Sequence, residues 1–218
     1  MKPVEKSAAQ YIPPNPTIPR MQSAAKACRG CDLWKNASQT VFGEGAPKAR
    51  VMFVGEQPGD QEDLQGHPFV GPAGRILERA LKDAGISRDE VYVTNAVKHF
   101  KSEPRGKRRI HKKPNASEVE ACKPWLEAEI RALRPDIVVC LGATAAQSLL
   151  GRAFRVTTSR GKVMPFPLSQ FAIATVHPSS ILRTREDEAR HAAMRDFVSD
   201  LKKIRDWLDR NARLKTGT

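Results

Sequence analysis

The chain has 218 residues, a size that buries one substantial core and suits one α/β domain. Its 37 Lys and Arg against 24 Asp and Glu leave a formal net charge of +13, which points to a polyanionic partner; with no basic amphipathic helix in view, nucleic acid comes before membrane. No apolar run approaches the ~18 residues of a membrane helix, and the opening Met-Lys-Pro-Val-Glu-Lys has no signal-peptide core, so a cytosolic protein is expected, its four cysteines serving as metal ligands or core residues rather than disulfides.

Residues 1–20 carry five prolines and little apolar periodicity, and read as an extended arm before a single domain over 21–218. The run 50–54 (RVMFV) reads as a buried strand, and 74–84 as a helix with Ile76, Leu77, Ala80 and Leu81 on its apolar side. A second strand is expected over 91–94. The stretch 99–115 is polar, contains two prolines and holds Lys101, Arg105, Lys107, Arg108, Arg109, Lys112 and Lys113; it reads as a long irregular loop, either functional or a solvated charge run. A helix follows over 117–133, with Ser117 and Glu120 three residues on as its capping pair. The run 137–141 (IVVCL) is a third strand, 143–150 a helix, 171–176 a fourth strand and 186–210 a long closing helix. Strands separated by helices imply a three-layer α/β sandwich: a central, mostly parallel four-stranded sheet with helices on both faces.

In open parallel sheets, ligands bind at the carboxyl ends of the strands. Three of the four expected strands end in chemically useful residues. The first runs into Gly55-Glu56-Gln57-Pro58-Gly59-Asp60, the second into Asn95, and the fourth into His177-Pro178-Ser179-Ser180. A carboxylate, an amide and an imidazole would share one rim. Taken singly, each residue also suits a cap or a turn.

The segments 55–60 (GEQPGD), 66–74 (GHPFVGPAG), 95–98 (NAVK) and 177–183 (HPSSILR) resemble, in order, the motifs of the iron–sulfur uracil-DNA glycosylases. The stretch 107–111 (KRRIH), inside the basic loop, resembles the signature of the UdgX subgroup of that superfamily, which is close to family 4. The resemblance implies that the partner is uracil-containing DNA, with single strands expected, and that a monomer acts on it. Asn95 would then pair with the uracil edge, its amide offering a donor beside an acceptor. Phe69 would stack on the extruded base, unless it is an ordinary core phenylalanine. His177 would donate to a uracil carbonyl and stabilise the leaving anion. Gln57, Asp60 and Arg109 would fall on the substrate-binding side, with Gln57 bracing the basic loop by bonding Arg109. His111 would take the place of water and attack the sugar, with Glu56 stabilising positive charge and accepting a proton.

Cys28-Arg-Gly-Cys31 has a C-x₂-C spacing common to zinc and iron–sulfur sites, and Cys122 falls early in the helix expected over 117–133. In the family, a cysteine directly follows the Asn-x-x-Lys segment; here that position is His99. The ligand set is therefore read as Cys28, Cys31, His99 and Cys122, with Cys140 a buried core thiol. Three cysteines and a histidine also satisfy zinc, whereas the resemblance favours a 4Fe–4S cluster with a structural role. Three functions stay open to such a chain: covalent capture of uracil-containing DNA through His111, a uracil glycosylase that turns over, or a non-catalytic DNA-binding module with a structural metal.

Overall fold

The computed structural model describes residues 6–106 and 108–216, with side chains through 211; residues 1–5 of the expected arm and Lys107 of the KRRIH stretch lie outside the described residues. A 3-10 turn at Ala9–Tyr11 and the helix α1 (Ile18–Ala25), with proline in its first turn, interrupt the arm expected to be extended over 1–20. Ala8 is buried and its N–H donates to the carbonyl of Ala121 at 2.7 Å, which fastens this segment to the domain.

The strands β1 (Glu44–Gly45), β2 (Val51–Gly55) and β3 (Val91–Asn95) form one half of the main sheet. Between β2 and β3 lie α2 (Asp60–Gln65) and α3 (Pro72–Asp83). The hairpin β4 (Ser102–Arg105) and β5 (Arg108–His111) follows, then α4 (Ala116–Leu133), β6 (Ile137–Leu141), α5 (Ala143–Leu150), α6 (Val156–Ser159), β7 (Val163–Phe166), β8 (Ser169–Thr175), α7 (Pro178–Arg183) and α8 (Asp187–Thr216). The sheet order is β1-β3-β2-β6-β8-β7, parallel through β3, β2, β6 and β8 and antiparallel at both edges.

The four central strands are the four read from the sequence; the sheet itself has six. β1 is two residues long and offers no alternating pattern. β7 carries Pro165, which breaks a strand pattern and is tolerated because β7 is an edge. Along β2 the side chains alternate between two cores. Val51 and Phe53 pack with Leu77 and Leu81 of α3 and Phe197, Leu201 and Ile204 of α8. Met52 and Val54 pack with Leu126 and Ile130 of α4 and Ala145 and Ala146 of α5. A strand covered on both faces reads as a continuous apolar run, as Val51–Val54 (VMFV) does.

Two expectations are corrected here. The cap of α4 is Asn115 rather than Ser117: its side chain accepts from the N–H of Glu118 at 2.9 Å, and Glu118 reaches back to the N–H of Asn115 at 2.7 Å. The basic stretch 99–115 is not an irregular loop but contains the β4–β5 hairpin, whose exposed, charged strands show none of the apolar alternation that marks a half-buried strand.

Candidate functional site

A cavity of about 790 Å³ opens at the carboxyl ends of β2, β3, β6 and β8. Asn95, only 3 % exposed, ends β3 directly beside Gly55 at the end of β2. A Cβ at Gly55 would meet the Asn95 amide oxygen and the Phe69 ring, so only glycine lets the two close over the strand end. Phe69 has a φ of 58°, a left-handed conformation that costs about 1 to 2 kcal/mol for a residue with a Cβ. The Phe69 carbonyl lies where a Cβ of Gly74 would sit, and buried Glu62 accepts the N–H of Gly71 at 2.8 Å. Gly74 leaves the room that this strained turn needs, and the Glu62 bond holds it there. The Phe69 ring stands 6.3 Å from the His177 ring, inclined by 27°.

His177 precedes α7 and accepts at Nδ1 from the Ser179 N–H at 3.1 Å, with the Ser179 hydroxyl at 2.8 Å. That hydroxyl accepts in turn from Arg183. With Nδ1 an acceptor, the proton of the neutral ring sits on Nε2, which makes that nitrogen a donor. Burial pushes the imidazole pKa down to about 4, and the Arg183 cation and the His111 ring add to the effect. Because the folded value is depressed, the stability this ring contributes is intact above the unfolded value near 6.5 and drains away as pH falls from there through about 4. The expected NMR titration of His177 therefore has its midpoint near 4; a midpoint near 6.5 would contradict a neutral ring held by Ser179.

Glu56 follows β2 and accepts the Thr144 hydroxyl on Oε2 at 2.5 Å, while its Oε1 lies 3.6 Å from Nε2 of His111. Both groups line the same cavity as Asn95, Phe69 and His177. His111 is half exposed at the end of β5, and the hairpin that carries it is clamped from below. Gln57 donates to the Lys112 carbonyl at 3.0 Å and accepts from the Lys101 N–H at 3.0 Å. Arg109 donates to Asp60 at 2.8 Å and also pairs with Asp63 and the Ser38 hydroxyl. Its guanidinium sits 5.4 Å from the Phe100 ring centre, and that ring is 6.1 Å from the imidazole of His111. Gln57 thus grips the main chain of the hairpin rather than Arg109, as had been expected. The guanidinium is taken by the two aspartates, which satisfy its charge as a neutral amide cannot.

A sequence profile described as "Uracil DNA glycosylase superfamily" matches residues 42–202. The chain belongs to the uracil-DNA glycosylase superfamily. It is 39% identical over 173 residues to the type-4 uracil-DNA glycosylase of Thermotoga maritima, covering 79% of this chain and 86% of that one. It is 38% identical over 186 residues to the type-4 uracil-DNA glycosylase of Archaeoglobus fulgidus, covering 82% and 86%. The type-5 uracil-DNA glycosylase of Thermus thermophilus is 31% identical over 175 residues, covering 71% and 74%.

This member of the glycosylase superfamily also gathers three cysteines in a separate buried cluster with residues of α1 and α4. Cys28, Cys31 and Cys122 share one buried cluster with Phe42, Val97 and Trp125. Trp125 Nε1 donates to the sulfur of Cys28 at 3.4 Å, and the Lys98 N–H to the sulfur of Cys122 at 3.3 Å. Burial raises the pKa of Cys31 and pushes that of Cys122 up to about 12. His99 is 4% exposed, and burial pushes its pKa down to about 4. Its Nε2 is 2.9 Å from the Thr40 hydroxyl, which itself donates to the Ala25 carbonyl; the hydroxyl therefore accepts from Nε2–H, and Nδ1 keeps a free lone pair. Cys140 sits instead in the middle of β6 among Met52, Val54, Ala172 and Ala174. Among the described residues, no three His, Cys, Asp or Glu side chains stand grouped around one metal-ion position. No helix among them is long and apolar enough to cross a membrane.

Thr144, Asp63 and Phe100 were missed in the sequence reading. Thr144 was within reach of the strand-end argument, because it stands three residues beyond Leu141, the end of β6. Asp63 meets Arg109 from an element far away in sequence and leaves no local signal, and Phe100 meets Arg109 and His111 only because the basic stretch folds back as a hairpin.

Proposed function

We propose that this chain removes uracil from DNA and ends the reaction joined to the deoxyribose through His111. The observation that carries this reading is the pairing of Glu56 with His111 across 3.6 Å, one carboxylate oxygen held by Thr144, in the cavity lined by Asn95, Phe69 and His177. An extruded base would lie over Phe69 with its edge paired to the Asn95 amide. The bond between C1′ and N1 breaks with its electron pair leaving on uracil, and the Nε2–H of His177 donates to the carbonyl where that charge collects. Glu56 lies beside the oxocarbenium-like sugar. A lone pair of His111 closes the new C–N bond, the ring sheds a proton toward Glu56, and the departing uracil anion gains one from solvent. Single-stranded DNA is the substrate we expect to be favoured, because an unpaired base costs less to extrude. The net charge of +13 supplies affinity for phosphate and opposes self-association, which suits a monomer.

Denaturing electrophoresis after mixing the protein with uracil-containing single strands tests the proposal. A retarded band that survives heat and detergent is the expected result. Free uracil with no such band would leave a glycosylase but end the capture mechanism; neither product would end both.

We also propose that the cysteine lobe holds a 4Fe–4S cluster on Cys28, Cys31, Cys122 and Nδ1 of His99. The donor set fits: two sulfurs already accept N–H bonds, as cluster thiolates do, and His99 spends its other nitrogen on Thr40. Bound there, the cluster would bridge the N-terminal segment, the β3 turn and α4. Purified protein should be brown with about four iron atoms per chain. Cys122→Ala should lose the iron, and Cys140→Ala should keep it. Colourless protein with one zinc, or iron retained in His99→Ala and lost in Cys140→Ala, would overturn the assignment.

A further inference from the structure

One buried cation has no part in the chemistry above. The side chain of Lys98 is 1% exposed, and it pairs with Glu129 of α4, which is fully buried. Its three ammonium hydrogens are all used: one goes to Glu129, one to the Thr94 hydroxyl at 2.7 Å and one to the main-chain carbonyl of Asn95 at 2.8 Å. Glu129 accepts in addition from the Tyr92 hydroxyl at 2.9 Å and the Thr94 hydroxyl at 3.0 Å. The main chain of Lys98 is fixed as well, its N–H to Cys122 and its carbonyl to the N–H of Val41 at 2.8 Å. The turn between Asn95 and Lys98 carries two further bonds, from Ala96 to the Gly55 carbonyl at 2.9 Å and from Val97 to the Glu56 carbonyl at 3.0 Å.

A buried ion pair is a poor source of stability, because desolvating two charges offsets most of their attraction and an apolar pair of equal volume often does as well. What this pair provides is geometry. It fixes the carbonyl of the residue whose amide faces the cavity, at the point where the turn binds the strand end carrying Glu56. We propose that Lys98 is a positioning residue: through the Asn95 carbonyl it holds the Asn95 amide in register with the base edge, and so sets the preference for uracil. This rests on the reading of Asn95 as the base-pairing residue.

The test is Lys98→Met combined with Glu129→Gln. The double variant removes both buried charges, keeps the volume, and leaves a glutamine oxygen to accept from Tyr92 and Thr94. It should remain folded at the assay temperature, with iron content and affinity for undamaged DNA matching the wild type. Its rate of glycosidic cleavage, read as adduct plus free uracil, should fall on the order of 100-fold. The preference for DNA carrying a non-cleavable 2′-fluorinated deoxyuridine over the matched thymidine should collapse with it. Thr94→Val, which is isosteric and removes only the shared hydroxyl, is the second variant and should lose about 10-fold in the same two readouts. Wild-type cleavage and preference in a folded double variant, or in Thr94→Val should the double not fold, would overturn the proposal. Wild-type protein that cleaves no uracil at all would instead overturn the reading of the site.

Discussion

Asn95→Ala is expected to cut uracil release by on the order of 1000-fold while leaving the fold and the affinity for undamaged DNA intact. The amide is 3% exposed at the end of β3, and its side chain closes over Gly55 against Phe69. An extruded uracil without it would bring a carbonyl and an N–H into a dry pocket with neither paired. A site built to hydrogen-bond its substrate loses far more from one missing partner than from one missing methylene. Undamaged DNA would be held through its phosphates, which the buried Asn95 amide does not reach, so its binding and salt dependence should not move. Single-turnover excision of uracil beside a filter-binding measurement with thymine DNA separates the two effects. Excision at the wild-type rate would mean that the base is read elsewhere.

The parts of the site legible in the sequence are those that follow directly from a strand. VMFV (51–54) and IVVCL (137–141) are apolar throughout because both faces of the sheet are covered, and that pattern places Glu56 at a carboxyl end without any knowledge of the fold. Asn95 and His177 follow by the same rule. The basic hairpin was not legible. Its two strands pair with each other, outside the main sheet, and its hold on the domain comes from Arg109 reaching Asp60 and Asp63 and from Gln57 reaching main chain. Those are long-range ion pairs and side-chain amide hydrogen bonds, and no periodicity announces them. The same holds for Lys98, which a sequence shows as one more basic residue although its ammonium is buried against Glu129. Edge strands escaped for a different reason: Pro165 argues against a strand everywhere except at an edge, and edges are known only once the sheet is assembled.

Replacing His111 with Ser should abolish the proposed heat-stable adduct and, on the same proposal, give an enzyme that turns over. The hairpin does not need the imidazole to stay in place, since Gln57 holds the main chain at Lys101 and Lys112 and Arg109 is locked to two aspartates. Glu56 keeps its bond to Thr144, and His177 keeps its bonds to Ser179, so the groups proposed to break the glycosidic bond are undisturbed. What changes is the nucleophile. The space beside Glu56 admits water, which adds to the sugar and leaves an abasic site, and uracil should then accumulate well beyond one equivalent per protein. Glu56→Gln should instead slow both outcomes, because charge stabilisation and proton acceptance are lost before the nucleophile matters. Electrostatic binding cannot mimic the adduct proposed for the wild type, since phosphate contacts dissolve once the protein unfolds. An adduct that persists in His111→Ser would place the nucleophile elsewhere. Lys113 is then the residue to examine, because it lines the cavity, whereas Lys112 is engaged with Glu103 at 2.9 Å. Borohydride distinguishes them from histidine: a lysine imine persists only after reduction, and a histidine–sugar bond survives without it.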